Sequence, residues 1–243
     1  MVIIQALLIL LLTGGLIWIV VPYAVRRRSE ARLSKLCADQ RAIVLSYDDG
    51  PAAEMTPRLL DLLAEHGVRA SFYVLGRNIA TAPDHMTRMI AEGHEIGSHT
   101  FDHSNAWKTM PHRAARDLAA GIAAVRRAGG EARLFRPPHG KVTLGTFADA
   151  WRRGLRLAWW TVDSLDSRGP QARSSGQAVI EAITERGGGV VLMHDWDRPA
   201  AADGSPSHAE HVLDLTRRII VFASENDYAI KGLEDVYLEA ERR

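Results

Sequence analysis

Five short polar clusters hold the residues of this chain that could do chemistry. Ser46-Tyr47-Asp48-Asp49-Gly50-Pro51 sets two carboxylates side by side. They repel each other unless a cation or a strong donor compensates. His99-Thr100-Phe101-Asp102-His103 spaces two imidazoles at i and i+4, on one face of a helical turn, from which both can bind one metal. The residues between them are not those of a zincin. Together with a strand-end Asp they make a one-carboxylate, two-histidine site with open positions for water. In Arg136-Pro137-Pro138-His139-Gly140 the two prolines fix an extended backbone and cannot donate. Arg136 then needs an anionic partner, and the N–H groups of His139 and Gly140 are expected to be free. Asp163-Ser164-Leu165-Asp166-Ser167 follows Trp159-Trp160, and the last cluster is Leu192-Met193-His194-Asp195. Opposite a carboxylate such as Asp166, His194 would be held protonated as a general acid. Each cluster alone also fits a structural use: an Asp-Gly turn, a surface Arg, a satisfied strand-end His.

Each cluster follows a run that reads as a strand, and the runs alternate with amphipathic stretches. The spacing predicts strands over Ala42–Tyr47, Ala70–Leu75, His94–Ser98, Ala132–Phe135, Leu157–Val162, Val190–Met193 and Tyr228–Ile230. Helices are expected from a Thr56-Pro57 start to Gly67, and over Pro83–Glu92, Pro111–Ala128, Gly145–Arg153, Gln177–Arg186 and His208–Glu225. This βα alternation over one domain predicts an α/β fold with a parallel sheet or barrel, the polar clusters gathered at the C-terminal ends of its strands. Residues 198–207 read as a loop.

The remaining signal is N-terminal. Val2 to Val21 carries no charge, and twenty residues of helix rise about 30 Å, the hydrocarbon thickness of a bilayer. A cleaved signal peptide fits less well, because no basic stretch precedes the run and no small-residue cleavage site follows it. The expected organisation is a transmembrane anchor at 1–23, a basic juxtamembrane linker at 24–40 and a catalytic domain at 41–243. Arg26, Arg27, Arg28, Arg32 and Lys35 follow the run, which by the positive-inside tendency places the domain on the cytoplasmic side of a single-pass (inner) cell-membrane protein. The net charge of +1 gives no basic field for nucleic acid, and the single cysteine, Cys37, excludes an intrachain disulfide.

With all five clusters in order, the chain resembles the polysaccharide deacetylases of carbohydrate esterase family 4, the NodB homology domain, from about Arg41 to the C-terminus. The family motifs T-F-D-D-G, H-[ST]-x-x-H, R-x-P-[YFW]-G, D-x-x-D-W and L-x-H correspond here to SYDDG, HTFDH, RPPHG, DSLDS and LMH. The resemblance implies a distorted parallel (β/α) barrel. It also implies a metal-dependent hydrolase that removes an N-acyl group, expected to be N-acetyl, from an amino sugar of a glycan. Asp49, His99 and His103 would bind one divalent metal, zinc in the first instance, with Co, Ni or Mn as alternatives. Asp48 would be the general base, Arg136 its holder, and the N–H of His139 an oxyanion donor. His194 would be the general acid, with Asp166, or else Asp163, setting its pKa.

Four positions depart from the family pattern, two of them mildly: Ser46 and Tyr47 replace Thr and Phe of the first motif. His139 stands where an aromatic residue is usual, and Ser167 replaces the Trp of the fourth motif. Pro138, His139, Asp163 and Trp196 are the expected substrate-side residues, Trp196 standing in for the missing wall. Most family members act on exported polymers, which favours the extracytoplasmic side. On the cytoplasmic face the fitting substrate would be a polyprenyl-linked amino sugar losing a formyl or acetyl group. An esterase on O-acetylated sugar and a non-catalytic carbohydrate-binding module are the other readings.

Overall fold

The computed structural model describes residues 2–198 and 206–242, without the side chains of residues 2–4 and 6–12. In chain order the elements are α1 (Val2–Asp39), β1 (Ala42–Asp48), α2 (Met55–Glu65), β2 (Ser71–Val74), α3 (Gly76–Ile79), α4 (Pro83–Ala91), β3 (Glu95–Ser98), α5 (Pro111–Arg127), β4 (Leu134–Phe135), α6 (Leu144–Arg152), β5 (Arg156–Leu157), β6 (Val162–Asp163), α7 (Gly176–Arg186), β7 (Gly189–His194), α8 (His208–Glu225), β8 (Ala229–Ile230) and α9 (Leu233–Glu241). Every pairing among the described strands is parallel. The order is β5-β4-β3-β2-β1-β7-β6, with β8 beside the first residues of β1.

The edges β5 and β6 do not pair with each other, so the sheet is a half-barrel. The single strand expected over Leu157–Val162 is two short ones on opposite edges. Ala158 donates to the Phe135 carbonyl at 2.9 Å and Thr161 to that of Val190 at 3.0 Å. An apolar run carries no mark of where a chain leaves one edge for another. Thr56 does not cap α2 as expected. Its hydroxyl accepts from the Ala52 N–H and donates to Asp195, while the Asp197 carboxylate takes the N–H groups of Glu54 and Met55.

Alternate residues of each strand face opposite sides. On the outer face Ile43, Leu45, Phe72, Phe135 and Val191 join the apolar stripes of the surrounding helices, among them Leu59, Ile122 and Leu215. On the inner face Val44, Tyr73, Leu134 and Val190 pack with Leu33 and Cys37 of α1 and Leu233 and Val236 of α9. Further along the same faces the side chains turn polar: Val44 is followed by Ser46 and Asp48, Leu134 by Arg136, and Val190, beyond Leu192, by His194. The inner face is thus apolar at the N-terminal ends of the strands and polar at the other.

Segment 24–40, expected as a juxtamembrane linker, is helical through Asp39, with Leu33 and Cys37 fully buried. The basic residues around them hid that i, i+4 stripe from a compositional reading. Helix α9 was likewise not expected. Among the described residues no helix is long and apolar enough to cross a membrane. Much of the proposed anchor run, residues 2–4 and 6–12, has side chains outside the description, and of the loop expected at 198–207, residues 199–205 lie outside it.

Leu33→Ala should destabilise the domain by about 2–5 kcal/mol, the range for emptying a buried leucine site. Urea denaturation is expected to show a lower midpoint at unchanged slope. An unchanged midpoint would mean that α1 is not part of the core.

Candidate metal centre and active site

The carboxylate of Asp49 and the imidazoles of His99 and His103 come from the loops after β1 and β3, and their ligand atoms lie within 4.8 Å of one another. The Nε2 atoms of His99 and His103 stand 3.5 and 3.4 Å from Asp49 Oδ1. That oxygen is buried without a hydrogen-bond partner. His99 Nδ1 lies 2.7 Å from the Arg136 carbonyl oxygen. A carbonyl only accepts, so Nδ1 carries the proton and Nε2 presents a lone pair. Burial lowers the pKa of both histidines, His103 to about 4, which keeps them neutral and able to ligate. An orphaned carboxylate oxygen facing the Nε2 atoms of two neutral imidazoles fits a divalent cation.

The loops are held in conformations that most side chains avoid. Asp49, Thr100, His103, His139 and Leu165 all have positive φ, between 55° and 74°, each costing on the order of 1 kcal/mol or more. Asp117 of α5 offsets this for the histidine loop. Its carboxylate accepts from the N–H groups of Phe101, Asp102 and Ser104.

Asp48 lies beside this centre on the inner face. Its Oδ1 accepts from Arg136 Nη1 at 2.8 Å, and its Oδ2 is 3.7 Å from His99 Nε2. Arg136 is fully buried. Its guanidinium stacks 3.9 Å from the centre of the Tyr73 ring and also donates to the Ser46 hydroxyl and the Ala158 carbonyl. His194 faces the same cleft from β7. Its Nδ1 and backbone N–H both donate to Asp166, at 2.9 and 2.8 Å. Burial alone would lower the His194 pKa, but the bond and charge of Asp166 push it up to about 9. Burial works against the Asp166 carboxylate as well, yet its bonds to His194 and His208 hold it well below the usual range. With Nδ1 committed to Asp166, Nε2 is the nitrogen available to the cleft. The cleft, about 460 Å³, is walled by Asp48, His139, Trp160, Asp163, His194 and Trp196.

Two sequence expectations need correction. Gly140 N–H is not free: it donates to the Pro137 carbonyl within a 3-10 turn over Pro138–Gly140. Only the His139 N–H takes no partner among the described residues. Pro138 is buried and does not line the cleft, because the turn points its ring inward. Ser167 lies on the wall. Trp196 stacks on His194 with ring centres 5.4 Å apart, and the His139 ring meets His103 edge-on at 4.5 Å. The sequence reading missed His208, whose Nε2 is 3.1 Å from both Asp166 Oδ2 and Trp196 Nε1; the ring can donate to the one or accept from the other. Its only signal was the capping box Ser207–Glu210 that opens α8. Ser46, Trp160 and Asp117 were missed too, although the period of two from Asp48 pointed to Ser46.

The model of the polysaccharide deacetylase family matches residues 35–158, about half of the chain. The chain belongs to the polysaccharide deacetylase family. It is a hydrolase of the deacetylase type, similar to a chitooligosaccharide deacetylase from Bradyrhizobium, 36% identical over 161 residues that cover 65% of this chain and 73% of that one. It is also similar to the peptidoglycan-N-acetylglucosamine deacetylase PgdA of Listeria monocytogenes, 33% identical over 163 residues, 67% of this chain and 34% of the relative. Among solved structures, a family 4 carbohydrate esterase from Streptomyces lividans in complex with acetate superposes with a TM-score of 0.65 at 26% identity, covering 78% of this chain and 91% of the other. The half-barrel is the fold of that family.

Because protonated His194 is the form that can donate, activity should fall as pH rises through about 9. Removing the Asp166 charge should let the His194 pKa drop toward about 6.5, the ordinary imidazole value. The alkaline limb of the kcat profile in Asp166→Asn should therefore move to lower pH. A limb that stays in place would assign the proton to another group.

Proposed function

We propose that this chain is a metal-dependent N-deacetylase acting on N-acetylglucosamine-containing glycans. The observation that carries the reading is the Asp49–His99–His103 cluster with a held carboxylate on one side and a carboxylate-backed imidazole on the other. The named activities of its relatives, on chitooligosaccharides and on peptidoglycan N-acetylglucosamine, supply the substrate class. Zinc suits two imidazoles and a carboxylate best, with Co, Ni and Mn as substitutes.

Asp49, His99 and His103 would hold a divalent ion, which would supply Lewis acidity toward water and an acyl oxygen. Asp48 takes the proton of the attacking water on Oδ2, since Arg136 occupies Oδ1. Arg136 holds that carboxylate in its orientation. The water oxygen adds to the acyl carbon, and the His139 N–H donates to the oxyanion that develops. The C–N bond breaks as His194 gives its Nε2 proton to the departing amine. The products are acetate and the free amino sugar. Trp160 and Trp196 offer flat apolar walls to the acyl group and sugar ring.

We also propose that the uncharged run at Val2–Val21 is a single-pass membrane anchor. The support is its length and lack of charge, and its continuity with the helix that packs on the domain.

The test is acetate release from chitooligosaccharides by the full-length chain with added zinc. Wild type should release acetate, a chelator should stop it, and Asp49→Ala should lose both metal binding by calorimetry and turnover. Metal binding without any acetate from wild type would turn the reading toward a carbohydrate-binding module.

A further inference from the structure

Pro22, Arg26, Glu30, Leu33 and Cys37 of α1 recur at intervals of three or four, the spacing of one helical face. Leu33 and Cys37 lie in the inner core. A Cβ at Gly188, just before β7, would meet the Cys37 carbonyl oxygen at 3.0 Å, which puts the last turns of α1 at the N-terminal ends of the strands. Eleven residues earlier, about 17 Å along the helix, Arg26 reaches the other end. Its side chain is 17% exposed and that of Glu30 12%, against 67% for Arg27. A charge held that far out of water needs partners, and Arg26 has them. Its Nε donates to Glu30 at 2.7 Å, and its Nη1 donates to the Gly140 carbonyl. Its guanidinium carbon stands 5.0 and 4.8 Å from the ring centres of Trp159 and Trp160. Glu30 is fixed in turn by Arg27, which donates to its other oxygen at 3.0 Å.

The partners of Arg26 belong to the site. Trp159 and Trp160 lie on the link that crosses the gap between β5 and β6. Gly140 closes the 3-10 turn that presents the His139 N–H. The turn makes two hydrogen bonds of its own, from Gly140 to the Pro137 carbonyl and from Lys141 to that of Pro138. It also holds two residues at positive φ, His139 at 55° and Gly140 at 63°. A left-handed histidine costs free energy and persists only where its surroundings over-determine it. Arg26 adds a charge-assisted bond from outside the turn, at its far end. The fit is close: a Cβ at Gly140 would collide with Arg26 Nη1 and stand 2.8 Å from Trp160 Cη2. The guanidinium is itself clamped between Glu30 and the two indoles, so the carbonyl it holds has little freedom to turn.

We infer that Arg26 is a positioning residue of the deacetylation site: through the Gly140 carbonyl, the Arg26–Glu30 pair of α1 sets where the His139 N–H stands. This rests on the reading of that N–H as the oxyanion donor. Such a donor acts only within hydrogen-bond reach of the position the oxyanion will take, and a misplacement of about 1 Å can cost roughly 10²-fold in rate. Arg26 works through the turn, so its loss lowers kcat and leaves KM and metal affinity in place. Helix α1 is then a part of the active site and not only a support for the core.

The test compares full-length wild type with Arg26→Met, Arg26→Lys and a control, Arg28→Met, at an exposed position two residues along the helix. The readouts are kcat and KM for acetate release from chitotetraose with added zinc, zinc affinity by calorimetry, and the folded fraction by urea denaturation. Arg26→Met should lower kcat about tenfold to a hundredfold, with KM and zinc affinity within about twofold of wild type. Arg26→Lys, which keeps a charged donor for the Gly140 carbonyl, should fall between the two, and Arg28→Met should match wild type. An Arg26→Met kcat equal to that of wild type overturns the inference. So does a lysine variant no better than the methionine one, or a loss shared by Arg28→Met. A kcat loss matched in both Arg26 variants by lost zinc affinity or folded fraction makes the residue a packing element and overturns the positioning role. A wild type that binds zinc and releases no acetate overturns the deacetylase reading, and this inference falls with it.

Discussion

The guanidinium of Arg136 is wholly out of water, and the free energy of keeping it there sets the terms for what surrounds it. Desolvating either member of an ion pair costs several kcal/mol, recovered only where geometry is good and the remaining donors are satisfied. Here the Asp48 carboxylate and the Ser46 hydroxyl take Nη1, the Ala158 carbonyl takes Nε and the face of Tyr73 covers the plane, while Nη2 is buried without a partner. Each of these four residues sits on the inner face of the half-barrel or on the link that crosses its gap. The carbonyl of the same arginine orients His99. One buried residue thus holds Asp48 in place beside Asp49, fixes the tautomer of a metal-ligand candidate, and ties the gap between β5 and β6 to the centre of the sheet.

The acid side is built on the same plan with the signs reversed. Asp166 is a buried carboxylate compensated by two histidines, His194 in the cleft and His208 behind it. His208 and Trp196 form a back wall in which each aromatic ring touches the next, so the orientation of His194 is set by packing as well as by charge. Asp48 and His194, the proposed base and acid, are paired residues of neighbouring strands, with the candidate cation site between the loops beyond them. That adjacency follows from the parallel register and the period of two along each strand.

Much of this was legible in the sequence because it rests on short-range patterns. Strand-end Asp, His and Arg clusters, glycine stops and proline starts are local, and the motifs at Asp48–Asp49, His99, His103, Arg136 and His194 fall where the alternation puts strand ends. What was missed depends on contacts distant in sequence. His208 lies 42 residues from Asp166, and only the fold brings them together. Leu33 and Cys37 sat among arginines in a segment whose composition looked solvated. The break between β5 and β6 is a change of hydrogen-bond partner inside one apolar run. Gly140 shows the converse failure: the prolines were read correctly as unable to donate, but the turn they set consumed the glycine N–H itself.

The claim at the centre of this account is that Arg136 and Asp48 act as one unit that supplies the base. The direct measurement is a double-mutant cycle on kcat/KM for deacetylation with Arg136→Met, Asp48→Asn and the double variant, with metal binding checked by calorimetry in each. Loss of a general base costs about 10²–10⁴-fold. The account requires each single variant to fall into that range and the double to fall little further, since members of a unit are strongly non-additive. Losses that multiply in the double variant, with metal binding intact throughout, would contradict it and separate the arginine from the base.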